Sequence, residues 1–451
     1  MKDKIEKTIS IVKTAFEKSK PFFRKLKPVF IFIKDIIVKL YNLIAQSPWV
    51  MEKSKKIKKF FRRLKKKRIL ALIAVIVCCV MFIKASIKKA DIIDEVLIQA
   101  ESITVSYKYD EALDILNNCK YADSKKIEKC RQEIEEKKSQ LVEYTGQFYH
   151  VFFHSLIAYP ELAFDGDYKH EGYDMWMTTV SEFKAMLPQM YERGFILYPL
   201  NEIKAGKKIM LPPEKKPLVI SIDDVNYYEY MSGDGFANRL VVDDEGKVAC
   251  EIQTPEGNME ISYEADVMPI LDSFVKEHPD FSFRGAKGVV AVTGYEGAFG
   301  YDFESEEKPE NEQLRNEAAK VARALKDTGW LIACHSYTHN GYFMDGKVSN
   351  EKLHYDTGKF NDRISELVLK PDIYISPYGY HLSEGDERLQ YLHNMGYNYF
   401  CPVSIAMRTL YTSDDVIIQE RFNLDRYSMR NQKKFINETF FDVDSVYYNI
   451  P

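Results

Sequence analysis

The chain has 451 residues, of which 45% are hydrophobic and 13% aromatic, and this composition excludes a globally disordered protein. Its net charge of −4 joins two opposite parts: residues 1–68 carry 22 lysines and arginines against 5 acidic residues, and the remainder carries 41 against 62. Parts of such different charge are expected to face different surroundings. The basic part lacks interleaved aromatic and basic residues, so no nucleic-acid partner is predicted.

The basic part ends at an apolar segment that predicts a membrane span. An unbroken run of 15 apolar residues extends from Ile69 to Ile83. With the residues up to 88 it reaches the roughly 20 that a bilayer requires. We interpret residues 69–88 as an uncleaved transmembrane anchor, because a region of 68 residues is too long for the start of a signal peptide.

The distribution of lysine and arginine around this segment predicts its orientation. The dense basic cluster comes before the span, so residues 1–68 are expected in the cytoplasm and the chain after the span outside, as a single-pass plasma-membrane protein. Residues 28–50 within the tail form either an amphipathic helix along the inner leaflet or a loosely ordered basic segment.

The spacing of apolar residues over 89–147 predicts a helical stalk or linker. Apolar residues recur three and four positions apart at Ile92, Val96 and Leu97, and again at Ala112, Leu113 and Leu116. We assign no chemistry to this segment.

From residue 148 to the end, short apolar runs alternate with amphipathic helical patterns. The runs HVFF, PLVISI, GVVAV, LIAC and DIYIS are typical of buried strands. The alternation predicts an α/β domain with a parallel sheet, either a barrel or an open sheet, whose functional residues gather where the strands end. Residues 226–265 interrupt the alternation as an insertion, and RLVVDDEGKVAC within it predicts a β-hairpin.

Four of these strands end in polar residues suited to one site. Strand PLVISI is followed by Asp223 and Asp224, LIAC by His335 and then His339, HVFF by His154, and DIYIS by Pro377 and Tyr378. Histidines four apart share a face if the segment is helical, so they can hold one metal ion. Two surface histidines on one turn are the alternative.

The motifs S-I-D-D, H-S-Y-T-H and S-P-Y-G, in this order within residues 148–425, resemble the polysaccharide deacetylases, the NodB-homology carbohydrate esterases. The resemblance implies a distorted (β/α) barrel over residues 148–451. It implies Asp224, His335 and His339 as metal ligands, with Zn favoured and Co, Ni, Mn or Fe as alternatives. It further implies Asp223 as the general base and the backbone N–H of Tyr378 as a donor to the oxyanion.

The chain departs from this pattern in two places. Ile375 stands where the third motif usually has an arginine that orients the base, and the late L-x-H motif that often supplies the acid is missing. The resemblance then points to His154 as the acid, with His381 as second choice. Arg421 lies where many members have a late arginine, although a surface salt bridge is an alternative role.

Four residues are expected to contact the substrate, namely Tyr227, Pro377, His381 and Arg421. The tyrosines of NYYEYM, which follow the S-I-D-D motif, form either a platform for sugar rings or part of the core.

These features together predict a membrane-anchored, metal-dependent deacetylase that removes N-acetyl groups from an extracellular or cell-wall glycan, either peptidoglycan or a secreted polysaccharide. The alternatives are a catalytically inactive glycan- or metal-binding relative, a metal-dependent O-acetyl esterase, and a membrane scaffold that acts through its tail and stalk.

Overall fold

A computed structural model describes residues 54–450 of the chain. The predicted alternatives for residues 28–50, an amphipathic helix or a loosely ordered segment, lie outside the described residues, as does most of the tail, residues 1–68. The described residues divide into two units, one that ends at Asp91 and one that begins at Ile92. The domain boundaries expected after residues 68, 88 and 147 stay predictions.

The first described element is a long helix, α1 (Ser54–Thr104), that contains the apolar segment. Among the described residues, one helix is long and apolar enough to cross a membrane, and it covers Arg62–Thr104. Its apolar side chains are exposed, with Leu70 65% and Phe82 75% accessible. The segment therefore lacks the burial that a core helix would have.

Two further helices, α2 (Tyr109–Asn117) and α3 (Lys125–Ser139), pack against the end of α1. This helical group contacts the rest of its unit through Tyr107, whose ring stacks on Phe283 with ring centroids 5.5 Å apart. Nearby, the backbone N–H of Arg284 donates to the carbonyl of Ser106 at 2.7 Å. Residues 92–139 thus pack against the domain that follows them.

The strands and helices of that domain alternate along the chain. The strands are β1 (Val142–Glu143), β2 (Tyr149–Phe153), β3 (Phe195–Leu197), β4 (Met210–Leu211), β5 (Lys216–Ile222), β6 (Ala237–Val242), β7 (Val248–Gln253), β8 (Met259–Ser262), β9 (Val289–Val292), β10 (Leu331–Cys334), β11 (Ile373–Ile375), β12 (Tyr399–Cys401), β13 (Thr409–Tyr411), β14 (Ile417–Gln419) and β15 (Phe422–Asn423). The helices are α4 (Pro160–Ala163), α5 (His170–Trp176), α6 (Val180–Glu192), α7 (Val267–Glu277), α8 (Asn311–Asp327), α9 (Asn350–Phe360), α10 (Glu387–Asn394), α11 (Arg426–Asn431), α12 (Lys433–Thr439) and α13 (Val443–Val446).

Ten strands form one sheet that curls into a distorted barrel. Its order is β13-β14-β12-β11-β10-β9-β5-β2-β15, and β3 pairs with the first half of β5. All pairs are parallel except β13 with β14. Residues 417–423 form a closing segment, because β14 pairs with β12 on one side and β15 pairs with β2 on the other. The predicted (β/α) barrel is thereby confirmed.

The barrel strands are apolar on both faces, as parallel strands covered by helices require. Inward residues such as Val219, Ala291 and Ala333 fill the interior of the barrel. Their neighbours Ile220 and Val290 belong to the larger core that includes the surrounding helices. The interior is therefore solid, and a ligand can reach only its ends.

The insertion folds as a three-stranded antiparallel sheet of β6, β7 and β8. The predicted hairpin is confirmed, with Leu240 paired to Cys250 across β6 and β7. The other sequence-predicted elements differ mainly at one place. The apolar pattern of GKFNDRISELVLK predicts a helix only over residues 358–370, whereas α9 already begins at Asn350 and Asn361–Ser365 continues it as a π-helix. The mostly polar stretch 350–357 has too few apolar residues to show the helical period.

Candidate active site

The candidate site lies at the carboxyl ends of the barrel strands, above the apolar interior. Because side chains alternate along a strand, every second residue points inward. Two residues beyond the buried Ser221 of β5 is Asp223, and two beyond Ala333 of β10 is His335. In the closing segment, Arg421 follows the buried Gln419 in the same way. The next inward position on three strands is thus polar or charged.

Asp224, His335 and His339 form a cluster suited to a metal ion. One ligand atom from each lies within 4.8 Å of the other two. The Nδ1–H of His335 donates to the carbonyl of Ile375 at 2.9 Å, so its Nε2 keeps a free lone pair. The Tyr228 hydroxyl donates to Oδ1 of Asp224 at 2.7 Å, while Oδ2 lies 4.0 Å from Nε2 of His339. Two imidazoles and one carboxylate fit a three-ligand divalent metal site.

The charge states of Asp224 and His335 also fit a metal site. Burial disfavours the charged form of Asp224, but the imidazoles of His339 and His335 outweigh it and lower its pKa to about 2. Burial lowers the pKa of His335 to about 4, against the opposing effect of Asp223 and Asp224. At neutral pH the carboxylate is therefore ionised and the imidazole is neutral, as metal ligands must be.

The two histidines do not share a helix, so the helical interpretation of their spacing is wrong. Strand β10 ends at Cys334, and a loop leads to a 3-10 turn at Gly341–Gly346. In the loop, Ser336 and His339 have positive φ angles of 69° and 44°. The Ser336 hydroxyl accepts a hydrogen bond from the backbone N–H of His339 at 2.9 Å. Two left-handed residues, and not a helical turn, bring the imidazoles together.

Asp223 lies beside the cluster and pairs with Arg421. The guanidinium of Arg421 donates to Oδ1 of Asp223 at 2.6 Å, and its Nε donates to the carbonyl of Cys401 at 3.2 Å. Oδ2 of Asp223 lies 3.8 Å from Nε2 of His335 and therefore faces the cluster. Arg421 is 1% exposed, which excludes a surface salt bridge as its role.

His154 lines the same cleft, whereas His381 is not among the residues that line it. Nδ1–H of His154 donates to the carbonyl of Trp176 at 3.1 Å, which leaves Nε2 as the ring nitrogen available for proton transfer. His381 is exposed, and its Nε2–H donates to the carbonyl of Val403 at 2.7 Å. The structure thus brings His154, of the two candidate acids, to the cleft.

The remaining predicted residues divide between the cleft and the core. Tyr378 lines the cleft, has a φ of 54°, and places its ring 4.5 Å from that of His339, measured between centroids. Pro377 is buried beside it. Tyr227 is 7% exposed and donates to Asp266 at 2.5 Å within the core, and it does not line the cleft.

The cleft above the cluster has a volume of about 640 Å³ and a largely apolar wall. On the side of β2 and β15, Trp176 and Tyr427 stack with ring centroids 5.8 Å apart. On the side of β10 and β11, which the strand order places across the barrel mouth, Met344 and Tyr378 line it. The two aromatic residues of the first side are 47% and 42% exposed, so both side chains remain accessible to a ligand.

Three residues at this site were not assigned roles from the sequence. Tyr228 was one of several tyrosines after S-I-D-D, and only the fold distinguishes it from the exposed Tyr230. Trp176 and Asp425 line the cleft, and burial raises the pKa of the Asp425 carboxyl. Both residues lie outside the three motifs, and nothing in their own spacing marks them.

No family model and no curated protein matches the chain. Solved structures to which it is similar include the deacetylase PplD from Streptococcus pyogenes, at 13% identity and a TM-score of 0.38, covering 65% of this chain and 98% of that one. IcaB from Ammonifex degensii shares 14% identity with a TM-score of 0.37, covering 65% and 99%. A de-N-acetylase from Aggregatibacter actinomycetemcomitans shares 12% with a TM-score of 0.38, covering 64% and 100%. Likenesses at this level concern the course of the chain alone, and what the site can do follows from its own side chains.

Proposed function

We propose that the protein is a membrane-anchored, metal-dependent deacetylase that hydrolyses N-acetyl groups of an extracellular or cell-wall glycan. The observation that carries the proposal is the three-ligand cluster of Asp224, His335 and His339 with the carboxylate of Asp223 beside it at one end of a cleft. The three motifs from which these residues come support the substrate class.

The first half of the reaction adds water to the acetyl carbonyl. Asp224, His335 and His339 would hold a divalent ion, with Zn favoured by the two imidazoles and one carboxylate, and when bound it would supply a Lewis acid that polarises the carbonyl and makes water more acidic. Oδ2 of Asp223 takes one proton from the attacking water, while Oδ1 stays bonded to Arg421. The backbone N–H of Tyr378 donates to the oxyanion that develops on the former carbonyl oxygen.

The second half releases the amine. His154, protonated at Nε2, passes that proton to the amide nitrogen as the C–N bond breaks. The products are a free amine on the sugar and acetate. The hydrogen bond from Nδ1–H of His154 to the Trp176 carbonyl keeps the imidazole oriented, with Nε2 free for this transfer.

The anchor and the substrate are proposed from different features. The exposed apolar part of α1 supports a single span that holds the enzyme at the plasma membrane, with residues 1–68 in the cytoplasm and the catalytic unit outside. Sugar rings can pack their apolar faces on the aromatic and largely apolar wall of the cleft, so this wall suits a glycan better than a small charged ester. A polymeric N-acetylated glycan or peptidoglycan fits both features.

The test is acetate release by the full-length chain in detergent, stripped of metal and reloaded with Zn²⁺. Chito-oligosaccharides, peptidoglycan and an aryl acetate serve as substrates, and Asp223→Asn is the matched variant. We expect metal-dependent release from a glycan that falls by at least about 100-fold in Asp223→Asn while Zn²⁺ stays bound. Metal binding without turnover of any N-acetyl glycan would instead indicate an inactive relative, and release from O-acetyl substrates alone would indicate an esterase.

A further inference from the structure

A buried carboxylate on helix α9, Asp356, holds the loop that carries the metal-binding histidines. Asp356 is fully buried. Its Oδ1 accepts from the backbone N–H of Tyr337 at 2.7 Å, and its Oδ2 accepts from the backbone N–H of Thr338 at 2.9 Å. The Thr338 hydroxyl at 2.6 Å and the Tyr342 hydroxyl at 3.3 Å donate to Oδ2 as well. All four donors come from the loop that follows His335 or from the 3-10 turn that ends it.

The loop needs such a support because its backbone is in an unfavourable conformation. The positive φ angles of Ser336 and His339 are unfavourable for residues other than glycine, and such residues persist only where the surroundings fix them. The amides of Tyr337 and Thr338 lie between these two residues. Asp356 accepts from both, so it pins the chain at the middle of the strained turn.

The chemistry of the acceptor is specific to a carboxylate. An ionised aspartate only accepts hydrogen bonds, which matches a site that presents four donors. An asparagine of the same shape would keep one acceptor oxygen and direct an amide N–H group at donors. This makes Asp356→Asn a nearly isosteric change with a defined local defect.

We propose that Asp356 is a positioning residue for the metal site: by fixing Tyr337 and Thr338 it sets the separation of His335 and His339 so that both imidazoles and Asp224 reach one ion. It touches neither the ion nor the substrate. The inference depends on the proposed function only in requiring that a divalent ion binds at this cluster.

The experiment measures Zn²⁺ and Co²⁺ affinity of the metal-free full-length chain in detergent by calorimetric titration, together with thermal unfolding. Asp356→Asn is expected to weaken binding by about 10–100-fold, the usual effect of removing a group that orients a ligand. Thr338→Val removes the hydroxyl donor but keeps the hydrogen bonds from both backbone N–H groups to Asp356, so it is expected to weaken metal binding less. Asp272→Asn is the matched control. Asp272 lies on α7, away from the barrel mouth, and its carboxylate accepts hydrogen bonds from Lys287 and from the indole N–H of Trp330. It is expected to lower the unfolding temperature and leave the metal affinity unchanged.

Amide hydrogen exchange of the metal-free chain gives a second reading that requires no bound ion. Exchange at Tyr337 and Thr338 is expected to be faster in Asp356→Asn, with the amides of β10 unchanged. Wild-type affinity in a folded Asp356→Asn, or unchanged exchange in this loop, would overturn the inference. If Asp356→Asn does not fold, unchanged affinity in Thr338→Val overturns it. A wild-type chain that binds no divalent ion overturns the proposed function as well, so the two failures are distinct.

Discussion

The two oxygens of Asp223 have different neighbours, and this division suits a general base. Arg421 occupies one oxygen, and the other faces the histidine cluster. The family pattern places an arginine at the position of Ile375, which is buried here. In this chain a guanidinium reaches the same carboxylate from the closing segment, 198 residues further along the sequence. The arginine that the third motif lacks is thus replaced by an arginine from the closing segment.

The role of His154 leads to a prediction about leaving groups. His154→Gln is expected to slow release of acetate from an N-acetyl glycan by about 100-fold or more, because an amine cannot leave without a proton. The same variant is expected to cleave an aryl acetate at nearly the wild-type rate, since a phenolate leaves unprotonated. The measurement is kcat on both substrates at the same Zn²⁺ occupancy.

The matched control for His154 is His381→Gln, because His381 is exposed and bonded to the Val403 carbonyl. Both activities of His381→Gln are expected to stay close to wild type. Equal losses on both substrates in His154→Gln would contradict proton donation to the leaving group, and a selective loss in His381→Gln would transfer the role to that residue.

At the scale of elements, the strands were predictable and the loops between them were not. Runs such as PLVISI are apolar because both faces of the barrel strands are buried, and this property is local to the sequence. The turn in H-S-Y-T-H depends on Asp356, which lies 17 residues beyond His339 in a stretch without apolar periodicity. The motif pointed to the two histidines of the candidate metal site, but the conformation that joins them is set by tertiary contacts that spacing alone does not encode.

Asp266 caps the N-terminus of helix α7, and its environment predicts a pH dependence of stability. Burial raises the pKa of Asp266 to about 6, although the Tyr227 hydroxyl and the amides of Val267 and Leu156 favour its charged form. The pKa is higher in the folded chain than the ordinary value of 3.8, so the folded state binds more protons between these values. Stability from this group is therefore present below about pH 4 and is lost as the pH rises through 6.

Asp266→Asn is expected to remove this dependence. The amide oxygen can accept from Leu156 and Val267, and the amide N–H can donate to Tyr227. As the pH rises from 4 to 7, the free energy of unfolding of the variant is therefore expected to increase relative to that of wild type, by up to roughly 3 kcal/mol. Thermal unfolding across this range is the measurement, and parallel curves for the two proteins would contradict it.

At the scale of the whole chain, the apolar segment of α1 predicts membrane attachment that charge can abolish. The double substitution Leu72→Arg, Val75→Arg is expected to release the chain from the membrane fraction, since a charge inside a span costs up to about 2.5–3.5 kcal/mol, the value at its centre. Asp91→Arg, an exposed position on the same helix beyond the apolar run, is the control and is expected to stay attached. Fractionation at high salt measures the result, and retention of the Leu72→Arg, Val75→Arg chain would contradict an anchor.

The closing segment has a consequence for when the enzyme becomes competent. During synthesis the chain emerges amino end first, so Asp223, Asp224 and both histidines appear well before Arg421. Until residues 417–423 bridge β12 and β2, the base has no guanidinium partner and the barrel has an open seam. The three side chains of the candidate metal site thus precede the arginine that pairs with Asp223. Under the proposed function, a chain that lacks residues 417–423 is expected to bind an ion but not to hydrolyse its substrate.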